Sequence, residues 1–272
     1  MKYENEVKDM IQLGRDFLQG IKEDEGYLSD QAKRLPQPPL VKDPMREESI
    51  SLPTNFEDLD IINDFLQIIN TRVSSRVYTE ENMTLLQLSY LLWCTQGIKD
   101  IRGKKYATLR TVPSAGARHP FECYLAIKNV EGLKPGLYHY LPMKHALEFL
   151  KEVEDLEAFM SKTVSEQKWV KKANVMFYFS FVAYRGEWRY GVSSHRVALM
   201  DAGHVTENLY LACTSIRLGS CAIGGVDAFM DEVFELDGKE EYMFYAQSVG
   251  TIKAEDIVKE KAFYKFVEDE GL

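Results

Sequence analysis

The stretch SSHRVALMDAGHVTENLYLACTSIRLG (Ser193–Gly219) carries the longest helical pattern in the chain. Ser193 or Ser194 is suited to cap the start of this helix, and Gly219 is suited to end it. The apolar residues recur at spacings of three and four, as on the buried side of an α-helix. They are Val197, Leu199, Met200, Ala202, Val205, Leu209, Leu211, Ala212 and Ile216. Because they surround much of the circumference, we expect a buried central helix or a subunit contact.

Gly203 lies within this pattern, next to Ala202. A glycine in a helix interior costs about 1 kcal/mol relative to alanine, so its presence needs a reason. Two adjacent small residues favour the close approach of another helix, and we predict close helix packing at this point.

Segments on both sides of the long helix have the composition of β-strands. They are FECYLAIKNV (Phe121–Val130), GLYHYLPMKHALEFL (Gly136–Leu150), NVMFYFSFVAY (Asn174–Tyr184), SCAIGGVD (Ser220–Asp227) and YMFYAQSVG (Tyr242–Gly250). The second segment predicts two strands around a turn near Pro142–Lys144. The third is apolar throughout, which predicts a central strand covered on both faces.

Shorter helices are predicted between these strands. The clearest runs from Leu85 to Gln96, with Thr84 as its cap and Gly97 as its end. The others are expected at Asp58–Ile69, Asp155–Met160, Ser165–Lys171 and Ala228–Leu236. The mixed order predicts an α+β fold, with a mostly antiparallel central sheet flanked by helices.

The first fifty residues differ from the rest of the chain. A helix is predicted from about Tyr3 to Glu23, followed by a polar stretch with prolines at 36, 38, 39 and 44. Prolines at this density favour an extended arm that runs over a surface. We therefore expect an N-terminal helix and arm in residues 1–50 and one globular domain in residues 51–272.

Charge and composition exclude several classes of protein. The 272 residues include 42 acidic and 33 basic side chains, for a formal net charge of −9. A nucleic-acid backbone requires a positive surface, so no nucleic-acid partner is expected. No apolar run approaches the roughly 20 residues of a membrane span, and the N-terminus lacks a secretory pattern. We expect a cytoplasmic protein with no membrane contact.

The cysteines and histidines show no metal-ligand spacing, and no metal site is predicted. The cysteines lie far apart in apolar segments, which is typical of reduced core residues. They are Cys94, Cys123, Cys213 and Cys221.

Three segments are candidates for a binding site. In TRVSSRVY (Thr71–Tyr78), alternation in an extended backbone would point Arg72, Ser74 and Arg76 the same way. Two guanidinium groups and a hydroxyl would suit a phosphate, because the arginine fork donates bidentately to its oxygens. A solvated, charged start of a strand is the alternative, and this segment alone does not decide between them.

The other two segments are rich in small residues. TVPSAGARHP (Thr111–Pro120) contains Pro113, Ser114, Ala115 and Gly116, which suit a backbone packed against a flat ligand. A plain turn entering a strand is the alternative, and the roles of Arg118 and His119 remain open. In AIGGVDAF (Ala222–Phe229), Ile223, Gly224 and Gly225 would aim backbone N–H groups into a crevice.

These segments, taken in order, resemble the FMN-dependent nitroreductase superfamily. The resemblance includes Gly-Leu-Tyr-His-Tyr at 136–140, Ala-Gly-His at 202–204 and the late Ile-Gly-Gly at 223–225. It covers roughly Leu52 to Gly250, and QAKRLPQPP (Gln31–Pro39) also looks like one branch of the superfamily. That branch is the SagB-type dehydrogenases, which include the thiazoline and oxazoline oxidases of modified-peptide biosynthesis.

The resemblance implies a cofactor site. Arg72, Ser74 and Arg76 would hold the FMN phosphate, ribityl chain and pyrimidine edge. Pro113 to Gly116 would lie against the isoalloxazine ring, often that of the other subunit of a homodimer, and Ile223 to Gly225 would lie near flavin N5. A basic residue near the C-terminus often completes such a phosphate site, and Lys253, Lys259 and Lys261 are the candidates here.

One position departs from the branch. The azoline oxidases carry a Lys-Tyr pair before the long helix, whereas this chain has Arg189 and Tyr190. An arginine, with a pKa above about 12, is a poor general base at neutral pH. Tyr190 would still be able to orient a substrate or donate a proton.

Four functions are therefore weighed. The first is an FMN-dependent oxidoreductase, reduced by NADH or NADPH and reoxidised by a small organic acceptor such as a nitroaromatic or a quinone. The second is a peptide azoline dehydrogenase without a nicotinamide. The third is a non-catalytic FMN-binding or storage protein, and the fourth is a structural α+β protein whose motif matches are accidental.

Overall fold

The protein is described by a computed structural model that covers residues 2–20, 26–79, 81–253 and 265. The helices are α1 (Lys2–Gln19), α2 (Phe65–Thr71), α3 (Leu85–Gln96), α4 (Leu156–Lys162), α5 (Ala183–Tyr190), α6 (Ser193–Ser215) and α7 (Phe229–Val233). The strands are β1 (Ile50–Ser51), β2 (Ile98–Arg102), β3 (Ala107–Arg110), β4 (Phe121–Ile127), β5 (Gly136–Leu141), β6 (Ala146–Lys151), β7 (Val175–Val182), β8 (Leu218–Ile223) and β9 (Glu241–Thr251).

Seven strands form one sheet in the order β1-β6-β5-β4-β7-β9-β8, and every neighbouring pair is antiparallel. The predicted central strand is β7, which pairs with β4 and β9 and is buried from Val175 to Phe181. Helices α3 and α6 contribute to the core on one face of the sheet, and α4 and α7 to the core on the other. The predicted α+β fold with a mostly antiparallel sheet and a long buried helix is confirmed.

The most accurate predictions were those that rest on helix caps and turns, which neighbouring residues encode. Helix α3 has the predicted bounds, and Thr84 caps it in a reciprocal capping box with Gln87. Gly97 is its C-cap. Strands β5 and β6 form the predicted hairpin around residues 142–145. The β2–β3 hairpin was not predicted.

The predicted ends of α6 were wrong. Val192 is the N-cap residue and provides no side-chain cap, so neither Ser193 nor Ser194 serves as the cap. The helix ends at Ser215, and Gly219 lies inside β8. A Cβ at Gly219 would lie 2.7 Å from the Cβ of Ser75, so the glycine permits a close approach between chain segments.

The helix predicted at Asp58–Ile69 was also largely wrong. Residues 56–58 form a 3-10 turn, and α2 starts only after Asp64, whose side chain accepts a hydrogen bond from the Gln67 amide. Between them the chain is irregular, and the Ile62 amide donates to the Ser215 carbonyl at the end of α6 at 2.8 Å. The helix predicted at Ser165–Lys171 is instead a 3-10 turn over Lys168–Lys172, because Ser165 and Glu166 have φ angles of 57° and 62°.

The proline-rich arm is attached to the sheet by two buried carboxylates. Glu122 accepts from the Lys42 amide at 2.7 Å, and Glu148 accepts from the Met45 and Arg46 amides at 3.0 and 2.7 Å. His139 lies between these carboxylates, with Nδ1 2.6 Å from Glu148 and Nε2 3.6 Å from Glu122. The arm therefore has a fixed course over the domain.

The carboxylates and the cations in this cluster stabilise one another in their charged forms. Burial alone would raise the pKa of Glu122, but Arg185, at 2.6 Å, and His139 outweigh burial and lower it. The pKa of Glu148 is lowered despite its burial, mainly by the hydrogen bond with His139. The pKa of His139 is raised, because the two carboxylates outweigh its own burial.

None of the helices in the described part of the chain is both long and apolar enough to cross a bilayer.

Candidate functional site

The segment with the two arginines runs along the start of β8. Ser74 forms a parallel bridge with Ser220, and the Ser75 amide donates to the Ser220 carbonyl at 2.8 Å. The segment is extended, as the alternation of its residues suggested. This pairing places Ser74 beside the strand that leads to Ile223, Gly224 and Gly225.

Tyr210 of α6 joins the arginine segment to the glycine turn. Its hydroxyl lies 3.0 Å from Ser74 Oγ and accepts a hydrogen bond from the Ala222 amide at 2.7 Å. Burial raises the pKa of the Tyr210 hydroxyl, so the group is a neutral phenol at physiological pH. The Arg72 guanidinium lies 5.2 Å from the centre of the Tyr210 ring, in a cation–π contact.

Arg76 lies on the other side of Ser74. Its Nη1 donates to the Ser74 carbonyl at 3.3 Å, and its guanidinium lies 5.9 Å from the centre of the Trp169 ring. Both Arg72 and Arg76 are half-buried. Two restrained cationic side chains therefore lie two positions before and two positions after Ser74, and guanidinium groups suit a phosphate.

A cleft of about 350 Å³ lies beside the glycine turn. Its lining residues are Leu199, Ala202 and Gly203 of α6, Gly224, and Phe244 and Tyr245 of β9. A Cβ at Gly203 would meet nothing within 4 Å, so the predicted close helix packing is wrong within the chain. Gly203 instead widens an apolar cleft whose small residues suit a flat ring.

The proline-bounded turn is held by Asp201, which lies between Leu199 and Ala202 on α6. Ser114 Oγ donates to Asp201 at 2.5 Å, and the Ala115 amide donates to the same carboxylate at 3.1 Å. Asp201 is 4% exposed, and burial raises the pKa of its carboxyl group. This single buried carboxylate therefore fixes the turn to the long helix.

Gly116 brings the same turn against the end of α5. It has a φ of +55°, and a Cβ there would lie 2.5 Å from the Tyr190 hydroxyl and 2.7 Å from Arg189 Nε. Only glycine fits this contact without movement. The structure thus places Gly116 directly beside the Arg189–Tyr190 pair.

Tyr106 holds the arginine of that pair. Arg189 Nη1 donates to the Tyr106 hydroxyl at 2.7 Å, and Gln31 of the arm donates to it at 2.9 Å. Burial opposes the charge of Arg189, but the Tyr190 and Tyr106 hydroxyl groups outweigh it and raise the arginine pKa. Arg189 is therefore a stable cation and not a base.

Arg118 and His119, whose roles the sequence left open, are buried at the end of the turn. Arg118 donates to the Gly116 and Tyr106 carbonyls at 3.3 and 2.7 Å. Burial, with the nearby Arg110, lowers the pKa of His119 to about 2, so the imidazole is neutral. We assign both residues to the support of the turn.

Within one chain the candidate residues form two clusters. Tyr210 marks the first, with residues 72–76 and 222–225, and Asp201 marks the second, with residues 113–116. They are nine positions apart on α6, or about 14 Å along a helix axis. The first and third sequence segments meet directly at Tyr210, whereas the second is bound by Asp201.

Only one of the three candidate C-terminal lysines lies within the described residues. Lys253 lies 2.9 Å from Glu81 in an exposed ion pair, and Lys259 and Lys261 lie outside the described residues. Within the described ranges, the His, Cys, Asp and Glu side chains form no cluster able to hold a metal ion.

The sequence reasoning missed Asp201, Tyr210 and Tyr106. Asp201 was detectable in the sequence, because it is an acidic residue inside an apolar helical pattern, and a buried acidic residue usually has a partner. Tyr210 and Tyr106 had none, because their partners are set by the packing of α6 on β8 and of the arm on the hairpin.

Comparison with known proteins gives a consistent result. The model of the Nitroreductase family matches residues 69–251. MJ1384 of Methanocaldococcus jannaschii, which is named a nitroreductase, is 32% identical over 184 residues, covering 67% of this chain and 88% of that protein. A solved structure from Ralstonia eutropha, also named a nitroreductase, has a TM-score of 0.63 at 26% identity and covers 81% of this chain and 95% of that one.

A third relative has a more specific name. The microcin B17-processing protein McbC of Escherichia coli is 25% identical over 148 residues. The match covers 53% of this chain and 54% of McbC. The similarity thus spans about half the length of that relative.

Proposed function

The chain belongs to the Nitroreductase family, and we propose that it is an FMN-dependent oxidoreductase. In this proposal NADH or NADPH supplies electrons, and a small organic acceptor such as a nitroaromatic or a quinone receives them. The flavin, when bound, supplies the hydride chemistry, and the protein supplies binding, orientation and electrostatics.

The junction at Tyr210 carries this proposal. One hydroxyl bonds both Ser74 and the Ala222 amide, so a cationic segment is joined to the glycine turn that borders an apolar cleft. Arg72 and Arg76 would bind the phosphate of FMN, and Ile223 to Gly225 would border its ring. The chemistry of the donors and the shape of the cleft both suit this cofactor.

The second cluster supports a homodimer with FMN at its interface. Pro113, Ser114, Ala115 and Gly116 are held by Asp201 and are not among the residues that line the cleft beside Gly224 of the same chain. In a dimer, the turn of one subunit would cover the flavin of the other. The exposed Leu199 and Met200 on α6, 44% and 51% accessible, offer apolar surface for that contact.

A peptide azoline dehydrogenase is the second candidate, because McbC is named for peptide processing. Gly116 lies against Tyr190, so this tyrosine is adjacent to a turn that is predicted to contact the cofactor. The raised pKa of Arg189 argues against its action as a base, so Tyr190 would be the residue that orients the substrate or donates a proton. A non-catalytic FMN-binding or storage role is the third candidate.

Anaerobic titration of the purified, FMN-loaded protein with NADH and with NADPH tests these alternatives. We expect loss of the visible flavin absorbance with at least one nicotinamide, and its return on addition of a nitroaromatic or quinone. A flavin that binds but is reduced by neither nicotinamide would contradict the reductase. Conversion of an azoline peptide to the azole would then identify the second candidate, and its absence would favour storage. Failure to bind FMN would contradict all three.

A further inference from the structure

A second, larger cavity of about 700 Å³ lies between the arm and two turns of the domain. Residues 37–44 of the arm, residues 104–106 between β2 and β3, and residues 141–144 between β5 and β6 form its walls. This volume falls within the roughly 300–1,000 Å³ of small-molecule sites. Neither cluster of the candidate redox site uses this cavity.

The walls of the cavity are held in place. The arm is anchored by the backbone hydrogen bonds of Lys42 and Met45 to Glu122 and Glu148. Gln37 Nε2 also donates to the Lys105 carbonyl at 3.2 Å, which ties the arm to the β2–β3 turn. The cavity is thus formed before any ligand arrives, so binding requires little ordering of the chain.

The cavity carries a net positive charge, because Lys104, Lys105 and Lys144 line it beside one acidic residue, Asp43, whereas the protein is negative overall. Lys104, Lys105 and Lys144 are exposed around it, and they have no carboxylate within ion-pair distance among the described residues. Lys42 is already paired with Glu241 at 2.6 Å, so it is not counted here. A local cluster of cations in a chain of net charge −9 indicates an anionic ligand.

The remaining lining is mainly apolar. It includes Pro38, Pro39, Leu40, Val41, Leu141, Pro142 and Met143. Tyr106 also lines the cavity, and its hydroxyl is bonded to Arg189. Tyr106 therefore lies between the cavity and Arg189.

We propose that this cavity binds a small organic anion, with an apolar body against the prolines, Leu40 and Met143 and a carboxylate group facing Lys104, Lys105 and Lys144. This binding site is separate from the cofactor site and requires no bound flavin. A carboxylate can belong to a free acid or to the side chain of a peptide, and we assign it to a free acid because a volume of about 700 Å³ is that of a small-molecule site.

Calorimetric titration of the full chain with octanoate tests the proposal, with octanol as the uncharged analogue. We expect octanoate to bind at one site about tenfold more tightly than octanol, as one charge-assisted contact allows. The double variant Lys104→Ala/Lys105→Ala should lose about the same factor. Lys99→Ala, an exposed lysine on the same hairpin but outside the cavity, should have no effect.

Equal affinities for octanoate and octanol, or an equal response of Lys99→Ala and the double variant, would overturn the proposal. A second variant probes the apolar wall, because Met143→Asp should weaken octanoate binding and leave the fold intact at this exposed position. A short peptide with one glutamate, binding more tightly than octanoate, would overturn the assignment to a free acid. All of these readouts are independent of FMN, so they do not depend on the proposed redox function.

Discussion

Tyr210→Phe removes a single oxygen from the centre of the candidate cofactor site. The ring remains, so its contact with Arg72 at 5.2 Å is retained, whereas the bonds to Ser74 and to the Ala222 amide are lost. An amide donor left without its partner costs about 1–3 kcal/mol of folding stability. We expect the free energy of unfolding in urea to fall by about that amount.

The same substitution should weaken FMN binding. Without the hydroxyl, the segment with Ser74 and the glycine turn at Gly224 must be ordered by the ligand itself. If this ordering costs about 1 kcal/mol, the dissociation constant for FMN rises about fivefold. Fluorescence titration of the apoprotein with FMN measures this change directly.

The matched control is Tyr184→Phe, which removes a hydroxyl bonded to Asp30 at 3.0 Å, and neither residue belongs to the predicted cofactor segments. It should leave FMN affinity unchanged. Lower stability with unchanged FMN affinity in Tyr210→Phe would refute the view that Tyr210 positions the site, and would leave it a purely structural residue.

Three further predictions follow from the site and the arm. Arg72→Ala and Arg76→Ala should each weaken FMN binding about tenfold or more in the same titration, since each removes a charge-assisted contact to phosphate. Gly116→Ala should lower the free energy of unfolding, measured by thermal denaturation, by about 1–2 kcal/mol, because a Cβ at φ +55° meets the Tyr190 hydroxyl. Glu148 and His139 predict a pH window. The pKa of Glu148 is lowered from 4.5, so the stability that its carboxylate contributes is lost as the pH falls below that value. The pKa of His139 is raised from 6.5, so the stability that its imidazolium contributes is lost as the pH rises above that value. Glu148→Gln should therefore lower the free energy of unfolding in urea most between pH 4.5 and pH 6.5, where both groups are charged in the folded protein.

Each of these predictions has a control in the same chain. Arg102→Ala, on exposed β2, should leave FMN affinity intact; equal effects of all three arginine variants would contradict the phosphate assignment. Gly14→Ala in α1 has open space around it and should not destabilise the protein; an equal loss from both glycine variants would show that the contact with Tyr190 is unimportant. Glu157→Gln, whose carboxylate is 55% exposed, should leave the pH profile unchanged, and a similar change in both profiles would exclude the buried cluster as its cause.

The family resemblance was visible in the sequence because its motifs are short and ordered. The helix Leu85–Gln96 was also predictable, since its cap and its end are encoded by Thr84, Gln87 and Gly97 within a few residues. In contrast, the helix predicted at Asp58–Ile69 was interrupted by a bond from Ile62 to the distant Ser215. Spacing alone contains no information about such a bond.

The candidate site was also only partly predictable from the sequence. Residue type selected Arg72, Ser74 and Arg76 as anion ligands, and the glycines as places where backbone approaches a ligand. Whether they meet depended on Tyr210, whose hydroxyl reaches Ser74 and Ala222 only because α6 packs against β8.

The sequence by itself determined the composition of the core, most of the strands and helices and the chemistry of the donors. These properties depend on residues that are neighbours along the chain. The tertiary structure alone decided that Gly203 opens a cleft, that Gly219 lies in a strand and that the turn with Gly116 contacts Tyr190. These features depend on which distant segments pack together, and a Cβ is allowed or excluded only by atoms far away in the sequence.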